Sequence, residues 1–227
     1  MMLRRRPLRL KRVIGLGLLG LTCWWGGTFA IEIDAVKLQN LAASRYGAKS
    51  ARSVSNWLQL LRNPPPPQER DKLTTANDFW NQTLLSSEDS TLWKQADYWA
   101  TPLESLGRGA GDCEDYVIGK YFTLLAMGVP ANKLRFIYVR ARVGGPASSS
   151  QVAHMVLGYY DTPNAVPLVL DSLISTILPA TQRRDLTPVF SFNADGVYVD
   201  GKAAAPVDRL SRWRDLLQRM ERDGIRP

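Results

Sequence analysis

The fold is decided by the stretch Gly109-Ala110-Gly111-Asp112-Cys113-Glu114-Asp115-Tyr116, in which a glycine-rich loop meets the start of a helix. Apolar residues recur at helical spacing as far as Leu125, and Gly128-Val129-Pro130 is a typical helix stop. Asp112 is a natural N-cap, and Asp115 lies three residues further on, where a capping box has its acid. The sequence therefore predicts a helix that begins at Cys113.

Cys113 has the position of a reactive thiol. In the first turn, the positive end of the helix favours the thiolate, which is the nucleophile of thiol enzymes. His154 is the only histidine in the sequence, and the only other cysteine, Cys23, lies in the N-terminal segment. Outside that segment, the chain can build one Cys–His pair and no disulfide. The alternative interpretation is a buried structural cysteine beside an ordinary helix cap.

Residues 1–30 have the pattern of an export signal. Residues 1–12 contain six basic residues and no acidic one, and residues 13–30 are uncharged and rich in Leu, Gly and Trp. The segment ends in Thr28-Phe29-Ala30, whose small residues suit a cleavage site. We therefore expect an exported protein, in which residues 1–30 are removed or remain as a membrane anchor.

The net charge of +8 belongs mostly to that segment. Without residues 1–30 the chain carries 23 basic and 21 acidic residues, so the exported part is close to neutral. The sequence also has no alternation of aromatic and basic residues and no glycine-rich phosphate loop. We therefore expect no nucleic acid partner.

Residues 31–227 are long enough for one domain with a sizeable core. Apolar stripes predict a helical N-terminal lobe and one C-terminal helix, at residues 34–46, 51–61, 73–84 and 207–222. Alternating apolar residues predict strands at 134–143, 152–160 and 167–171, and a hairpin of 189–192 with 197–199. Residues 86–102 have no clear period and are expected to be irregular. This order predicts an α+β fold in which the Cys113 helix packs on an antiparallel sheet.

The predicted sheet brings a carboxylate to His154. His154 shares a strand face with Val152 and Val156, and Asp171 closes the next predicted strand. If the two strands pair, Asp171 orients the imidazole, and His154 takes the proton of Cys113. A lone histidine in a strand is more often structural. The order Cys, His, Asp, with the cysteine opening a helix, favours a catalytic triad.

Five stretches of the chain resemble one known family. They are Asp97-Tyr98-Trp99-Ala100-Thr101-Pro102, Gly111-Asp112-Cys113-Glu114-Asp115-Tyr116, Lys120-Tyr121, Ala153-His154-Met155-Val156-Leu157 and Pro167-Leu168-Val169-Leu170-Asp171. They closely resemble the LapG-type periplasmic cysteine proteases, which are the bacterial transglutaminase-like cysteine proteinases. The likeness extends from about residue 32 to about residue 200 and covers little of the N-terminal segment or the last helix.

The resemblance implies a papain/transglutaminase-like core and a triad of Cys113, His154 and Asp171. It also implies periplasmic cleavage near the N-terminus of a large surface adhesin, which releases the adhesin and disperses a biofilm. Calcium dependence is a further implication. So is sequestration by the periplasmic domain of an inner-membrane receptor for cyclic di-GMP.

The acidic residues around Cys113 also indicate a calcium site. Asp112, Glu114 and Asp115 flank Cys113, and their negative charge disfavours a thiolate unless a cation cancels it. Calcium prefers such carboxylate and carbonyl oxygens. The alternative is that acids in a first turn only complement the helix dipole, and without the resemblance this alternative is preferred. Adjacent side chains on a helix diverge by about 100°, so we do not expect all three acids to bind the ion directly.

The sequence leaves two other functions open. A transglutaminase or amidase uses the same triad for acyl transfer, because the nucleophile does not determine the acceptor. A calcium-binding interaction module without catalysis is the second alternative, and the intact set of Cys113, His154 and Asp171 argues against it. In either enzyme the Cys113 N–H is expected to help bind the oxyanion.

Overall fold

The computed structural model describes residues 31–199 and 201–227, so the predicted export segment lies outside the described residues. The helices are α1 (Ala35–Tyr46), α2 (Ala48–Arg62), α3 (Glu69–Thr83), α4 (Asp89–Leu92), α5 (Pro102–Arg108), α6 (Cys113–Ala126) and α7 (Ser211–Asp223). The strands are β1 (Glu32–Ile33), β2 (Leu85–Ser86), β3 (Ala110–Gly111), β4 (Leu134–Arg142), β5 (Gln151–Tyr159), β6 (Leu168–Leu170), β7 (Leu178–Pro179), β8 (Leu186–Asn193), β9 (Gly196–Val199), β10 (Lys202–Ala205) and β11 (Ile225–Arg226). The predicted α+β fold is confirmed.

The main sheet has seven strands in the order β10-β9-β8-β4-β5-β6-β7. Every neighbouring pair in it is antiparallel. Helix α6 contacts β5 on one side and helices α3 and α5 on the other. The N-terminus of α6 therefore lies where the helical lobe meets the sheet.

Two buried tryptophans join the helical lobe to α6. The indole N–H groups of Trp57 and Trp80 both donate to the hydroxyl of Thr123, each at 2.8 Å. Gly119 lies one turn earlier, and a Cβ there would come within 2.4 Å of the Trp80 ring. The close approach of α3 to α6 therefore requires glycine at this position.

The ends of α6 explain why its bounds were predictable. Gly128 has a φ of +80°, and the Val129 N–H donates to the carbonyl of Leu124, which terminates the helix as expected. At the other end, Asp112 occupies the N-cap position, but its side chain accepts no hydrogen bond from the first turn. Asp115 accepts from the Ala100 N–H instead of closing a capping box. The expected side-chain cap is therefore wrong, because both carboxylates belong to the acidic cluster described below.

The segment before α6 is more regular than predicted. Residues 93–101 are irregular as predicted, but helix α4 and the end of β2 lie before them, and α5 begins directly after them. Helix α5 begins with a complete capping box of Thr101 and Glu104, with Pro102 at its first position. This sequence signal was present but was not recognised. The parallel pairing of β2 with β3 then holds the glycine-rich loop in front of Cys113.

The C-terminal third agrees with the prediction in outline. The hairpin of β8 and β9 is present, whereas β7 and β10 were not predicted. Helix α7 begins at Ser211, four residues after the predicted start, because Val207–Arg209 form a 3-10 turn. The short strand β11 pairs with β1 and closes the domain.

Among the described residues, no helix combines the length and the apolar character that a membrane span needs.

Candidate active site

Cys113 is the first residue of α6 and is partly buried. Its sulfur donates a hydrogen bond to Oε2 of Glu114 at 2.7 Å. The backbone N–H of Met155 also lies at the sulfur and acts to lower its pKa. Because Met155 follows His154 directly in β5, the thiol lies beside the part of the sheet that carries the histidine.

The surroundings of Cys113 oppose ionisation of its thiol. Burial raises the pKa of Cys113. The charge of Glu114, its hydrogen bond to the thiol and the charge of Asp112 raise that pKa further. Burial and the neighbouring acids therefore both disfavour a thiolate at Cys113, and positive charge at this site would favour it.

His154 and Asp171 form a buried pair. Strands β5 and β6 are antiparallel with Leu157 opposite Leu170, which confirms the expected strand pairing. Nε2 of His154 lies 2.6 Å from Oδ1 of Asp171, and the two side chains are 4% and 0% exposed. The imidazole is therefore oriented by the carboxylate that follows the neighbouring strand.

Asp171 is held by further partners. The Leu173 N–H donates to Oδ1 at 3.0 Å, Arg183 donates to Oδ2 at 2.6 Å, and Asn81 donates to the backbone carbonyl at 2.9 Å. Burial alone raises the pKa of Asp171, but the hydrogen bond and charge of His154, together with Leu173 and Arg183, lower it to about 2. Asp171 is therefore a carboxylate at neutral pH.

Arg183 was missed by the sequence analysis. It follows a 3-10 turn of Ala180–Gln182 and lies within a segment that has no apolar period. Its contact with Asp171 is a pairing of polar side chains between loops, for which the sequence gives no local signal.

The structure brings the three predicted triad residues to the same part of the fold, but hydrogen bonds do not connect all three of them. The His154–Asp171 hydrogen bond is present. In the described part of the chain, the thiol of Cys113 is bonded to Glu114, and no hydrogen bond joins it to His154.

A groove borders this site along the sheet. It has a volume of about 460 Å³ and lies over β4, β5 and the middle of β8, with Tyr138, Ala153 and Phe190 in its lining. The exposed side chains of Val152 and Val189 also line it. Ala153 directly precedes His154 in β5, so the groove ends one residue before the histidine, whose own side chain is buried.

A cluster of five carboxylates surrounds the start of α6. Carboxylate oxygens of Asp89, Asp112 and Asp115 lie within 4.8 Å of one another, and so do those of Asp89, Asp97 and Glu114. Asp89, in α4, is shared by both groups and also accepts a hydrogen bond from the Tyr98 N–H. The three predicted metal-binding acids are therefore brought together, and Asp89 and Asp97, which were missed, complete the cluster.

Several oxygens of this cluster have no protein partner. Within residues 31–199 and 201–227, three buried oxygens of the cluster accept no hydrogen bond: Oδ1 of Asp89, Oδ1 of Asp112 and Oδ2 of Asp115. Oδ1 of Asp97 lies 2.7 Å from Nε of Arg212. Burial raises the pKa of Asp112 to about 10, with the charges of Glu114, Asp115 and Asp89 adding to the effect. Burial likewise raises the pKa of Asp115 and of Asp89. Hard, closely spaced oxygens without donors fit a calcium ion, which takes six to eight oxygen ligands.

The signal for Asp89 and Asp97 lay in the segment that was expected to be irregular. Asp97 begins one of the stretches that carry the family resemblance, and Asp89 stands eight residues before it. Neither position follows from helical periodicity, because the cluster forms only when α4 folds back on the start of α6.

Comparisons with known proteins agree with this geometry. The family model for the bacterial transglutaminase-like cysteine proteinase BTLCP matches residues 54–182. The solved structure of Legionella pneumophila LapG is similar, with 38% identity over 84% of this chain and 99% of that chain and a TM-score of 0.71. Its calcium-bound form has 39% identity over 83% and 99% of the two chains, with a TM-score of 0.70. An EGTA-treated form has 38% identity over 84% and 100%, with a TM-score of 0.72.

No curated protein matches the chain in sequence. The family model nevertheless covers more than half of the chain, and the solved structures match it over nearly their whole length. The partly buried cysteine at a helix start and the sheet beside it are what a thiol protease requires. This chain is a cysteine protease and belongs to the bacterial transglutaminase-like cysteine proteinases.

Proposed function

We propose that this protein is a calcium-dependent endopeptidase of the periplasm that cleaves the N-terminal region of a large surface adhesin, releases it and disperses the biofilm. The observation that carries the proposal is the buried His154–Asp171 pair in the sheet beside Cys113. Membership of the proteinase family supports peptide hydrolysis over other uses of the same residues.

The three residues have separate roles in the proposed reaction. Cys113 attacks the peptide carbonyl, and His154 removes the thiol proton and later delivers it to the leaving amine. Asp171 orients the imidazole and stabilises its charged form. The N–H of Cys113, at the helix start, donates to the developing oxyanion. For the first step, the thiol must exchange its hydrogen bond from Glu114 to His154.

The acidic cluster is the proposed calcium site. Asp89, Asp112 and Asp115 would hold the ion, because each has a buried oxygen without a protein donor. Asp97 and Glu114 form the adjoining group around the shared Asp89. A bound calcium ion supplies positive charge next to the thiol. The calcium-bound structure of the similar Legionella pneumophila LapG supports calcium as the ion.

The proposed partners and location rest on the pattern of the N-terminal segment and on the family resemblance. Residues 1–30 have the pattern of an export signal, which suits a periplasmic enzyme. The near-neutral exported part gives no support to nucleic acid binding. An inner-membrane receptor for cyclic di-GMP is the proposed regulator, which would hold the protease through its periplasmic domain. The groove beside His154 suits an extended peptide substrate.

The test is cleavage of candidate adhesins from the same organism. The purified protein is incubated with their N-terminal regions in the presence of calcium, and the products are identified by mass spectrometry. We expect new chain termini from the native protein and none from the Cys113→Ala variant, in which a small residue keeps the helix start. Cleavage that persists in the variant would refute the thiol mechanism. An isopeptide product after addition of a free amine would indicate acyl transfer.

A further inference from the structure

The side chain of Arg183 lies between two carboxylates and is only 1% exposed. Its Nη2 is 2.6 Å from Oδ2 of Asp171 and 2.7 Å from Oδ2 of Asp185. Its Nε donates to Oδ1 of Asp185 at 3.0 Å. Asp185 therefore binds the guanidinium with both oxygens, which fixes the plane of the group.

The two oxygens of Asp171 have different partners. Oδ1 accepts from the Leu173 N–H and meets His154, whereas Oδ2 is bonded to Arg183. Rotation of the carboxylate would break both sets of contacts. Arg183 therefore fixes the rotation of the carboxylate, which keeps one of its two oxygens directed at the imidazole.

A buried carboxylate needs a permanent counter-charge. The side chain of Asp171 is 0% exposed, so its charged form is costly unless a cation is in contact. His154 provides positive charge only when it is protonated. Arg183 is protonated at every relevant pH and supplies the charge in both states of the histidine.

The backbone around Arg183 is tied to the sheet on two sides. The Ala180 N–H donates to the carbonyl of Pro167 just before β6, and the Arg142 N–H at the end of β4 donates to the carbonyl of Asp185. The Arg183 N–H also closes the turn onto Ala180. These bonds hold the guanidinium at a fixed place relative to β5 and β6.

We propose that Arg183 is a positioning residue of the protease, which holds the Asp171 carboxylate charged and directed at His154 and is itself held by Asp185. Arg183 has no contact with Cys113, so it acts on the reaction through Asp171. The inference rests on the role proposed above for Asp171 and extends the three-residue site to a chain of four side chains.

The first test uses the fact that His154 is the only histidine in the sequence. In an untagged protein all imidazole signals of the NMR spectrum come from His154, so their titration follows proton uptake by the His154–Asp171 pair. Removal of a neighbouring positive charge favours proton uptake, so Arg183→Met should raise the apparent pKa. Arg183→Lys keeps the charge and should leave the titration near that of the native protein.

The second test is the rate of adhesin cleavage. Arg183→Met should lower kcat by about 10- to 100-fold with little change in KM, the usual range for residues that orient a site group. Arg183→Lys should recover only part of this loss, because an ammonium cannot reproduce the two-pronged contact with Asp185. The matched control is Arg184→Met, which changes the exposed neighbouring arginine and should alter neither measurement.

A double variant with Asp171 distinguishes a positioning role of Arg183 from a general role in packing. In an Asp171→Asn background, Arg183→Met should cause little further loss of kcat, because the carboxylate on which it acts is gone. A native titration and native kcat in Arg183→Met would overturn the proposal, and so would full additivity with Asp171→Asn. If Arg183→Met does not fold, Arg183→Gln, which also removes the charge but keeps a polar side chain, carries the same comparison. The NMR titration needs no substrate, so it tests Arg183 even if no adhesin is cleaved.

Discussion

The two polar clusters near Cys113 differ in how their buried charges are matched. In the cluster of His154, Asp171, Arg183 and Asp185, each carboxylate has a cation or an N–H group in contact. In the acidic cluster around Asp112, Arg212 pairs with Asp97 at the edge, but three buried oxygens of Asp89, Asp112 and Asp115 have no donor among the described residues. The first cluster is complete as a protein structure, whereas the second is complete only with a cation. Regulation by an ion should therefore act on the thiol and leave the His154–Asp171 pair in place.

Removal of calcium is the strongest test of this difference, with the largest expected effect. An excess of EGTA should abolish cleavage, and calcium should restore it. Magnesium should not, because it requires a small octahedral shell and releases its waters reluctantly. The measurement is cleavage activity together with calorimetric calcium titration. Full activity in excess chelator, with no heat of calcium binding, would show that the acidic cluster serves only the helix end.

Asp89→Asn should change the two forms of the protein in opposite directions. Without calcium the variant should unfold at a higher temperature than the native protein, because one of several crowded negative charges is removed. With calcium its affinity for the ion should fall by about tenfold or more, or at least about 1.4 kcal/mol. Thermal unfolding with and without calcium measures both effects.

The control for this variant is Glu88→Gln, which removes the same charge from the exposed neighbouring residue. It should leave calcium affinity and both unfolding temperatures close to the native values. Equal behaviour of the two variants would mean that Asp89 is not a ligand. It would leave Asp112 and Asp115 as the acids to test next.

The smallest expected effect concerns Lys120, a buried group close to the charge-matched cluster. Its ammonium is 0% exposed and has no hydrogen-bond partner among the described residues. Burial lowers the pKa of Lys120 to about 7, although the charges of Asp171 and Asp78 act in the other direction. Between about pH 7 and the usual value of 10.5, the unfolded chain therefore holds one more proton at this position than the folded protein.

The free energy of unfolding should consequently rise with pH in that window, by at most about 1.4 kcal/mol per pH unit from this group. Urea unfolding at several pH values measures the slope. Lys120→Met should reduce it, whereas Lys202→Met, at an exposed position, should not. An unchanged slope in Lys120→Met would mean that the ammonium remains charged in the folded protein.

Much of the site was predictable because its residues stand at the ends of regular elements. The start of α6 at Cys113 follows from the glycine-rich loop and the helical period. The pairing of β5 with β6 follows from two runs of alternating or apolar residues, and it carries His154 to Asp171. In each case a local pattern determines the element, and the element then determines the place of the side chain.

The rest of the site depends on contacts that leave no local pattern. Arg183 follows a 3-10 turn and Asp89 begins the four-residue helix α4, and each meets its partners only after chain segments distant in sequence have packed. The missing side-chain cap of Asp112 has the same origin. Its carboxylate belongs to the acidic cluster and does not accept a hydrogen bond from the first turn of α6. Helix α5 is a different case, because its start was predictable. Thr101 and Glu104 have the spacing of a capping box, and Pro102 suits the first helical position.

The pairing of β1 with β11 has a consequence for the topology of the domain. The Asp34 N–H donates to the carbonyl of Gly224 at 2.8 Å, and Glu32 and Arg226 form an ion pair at 3.0 Å. The first and last described strands therefore lie side by side, and a short linker can join them. The exposed residues 144–147 between β4 and β5 offer new ends outside every strand pair. A circularly permuted protein opened there should keep its core and present two free chain ends beside the groove at His154.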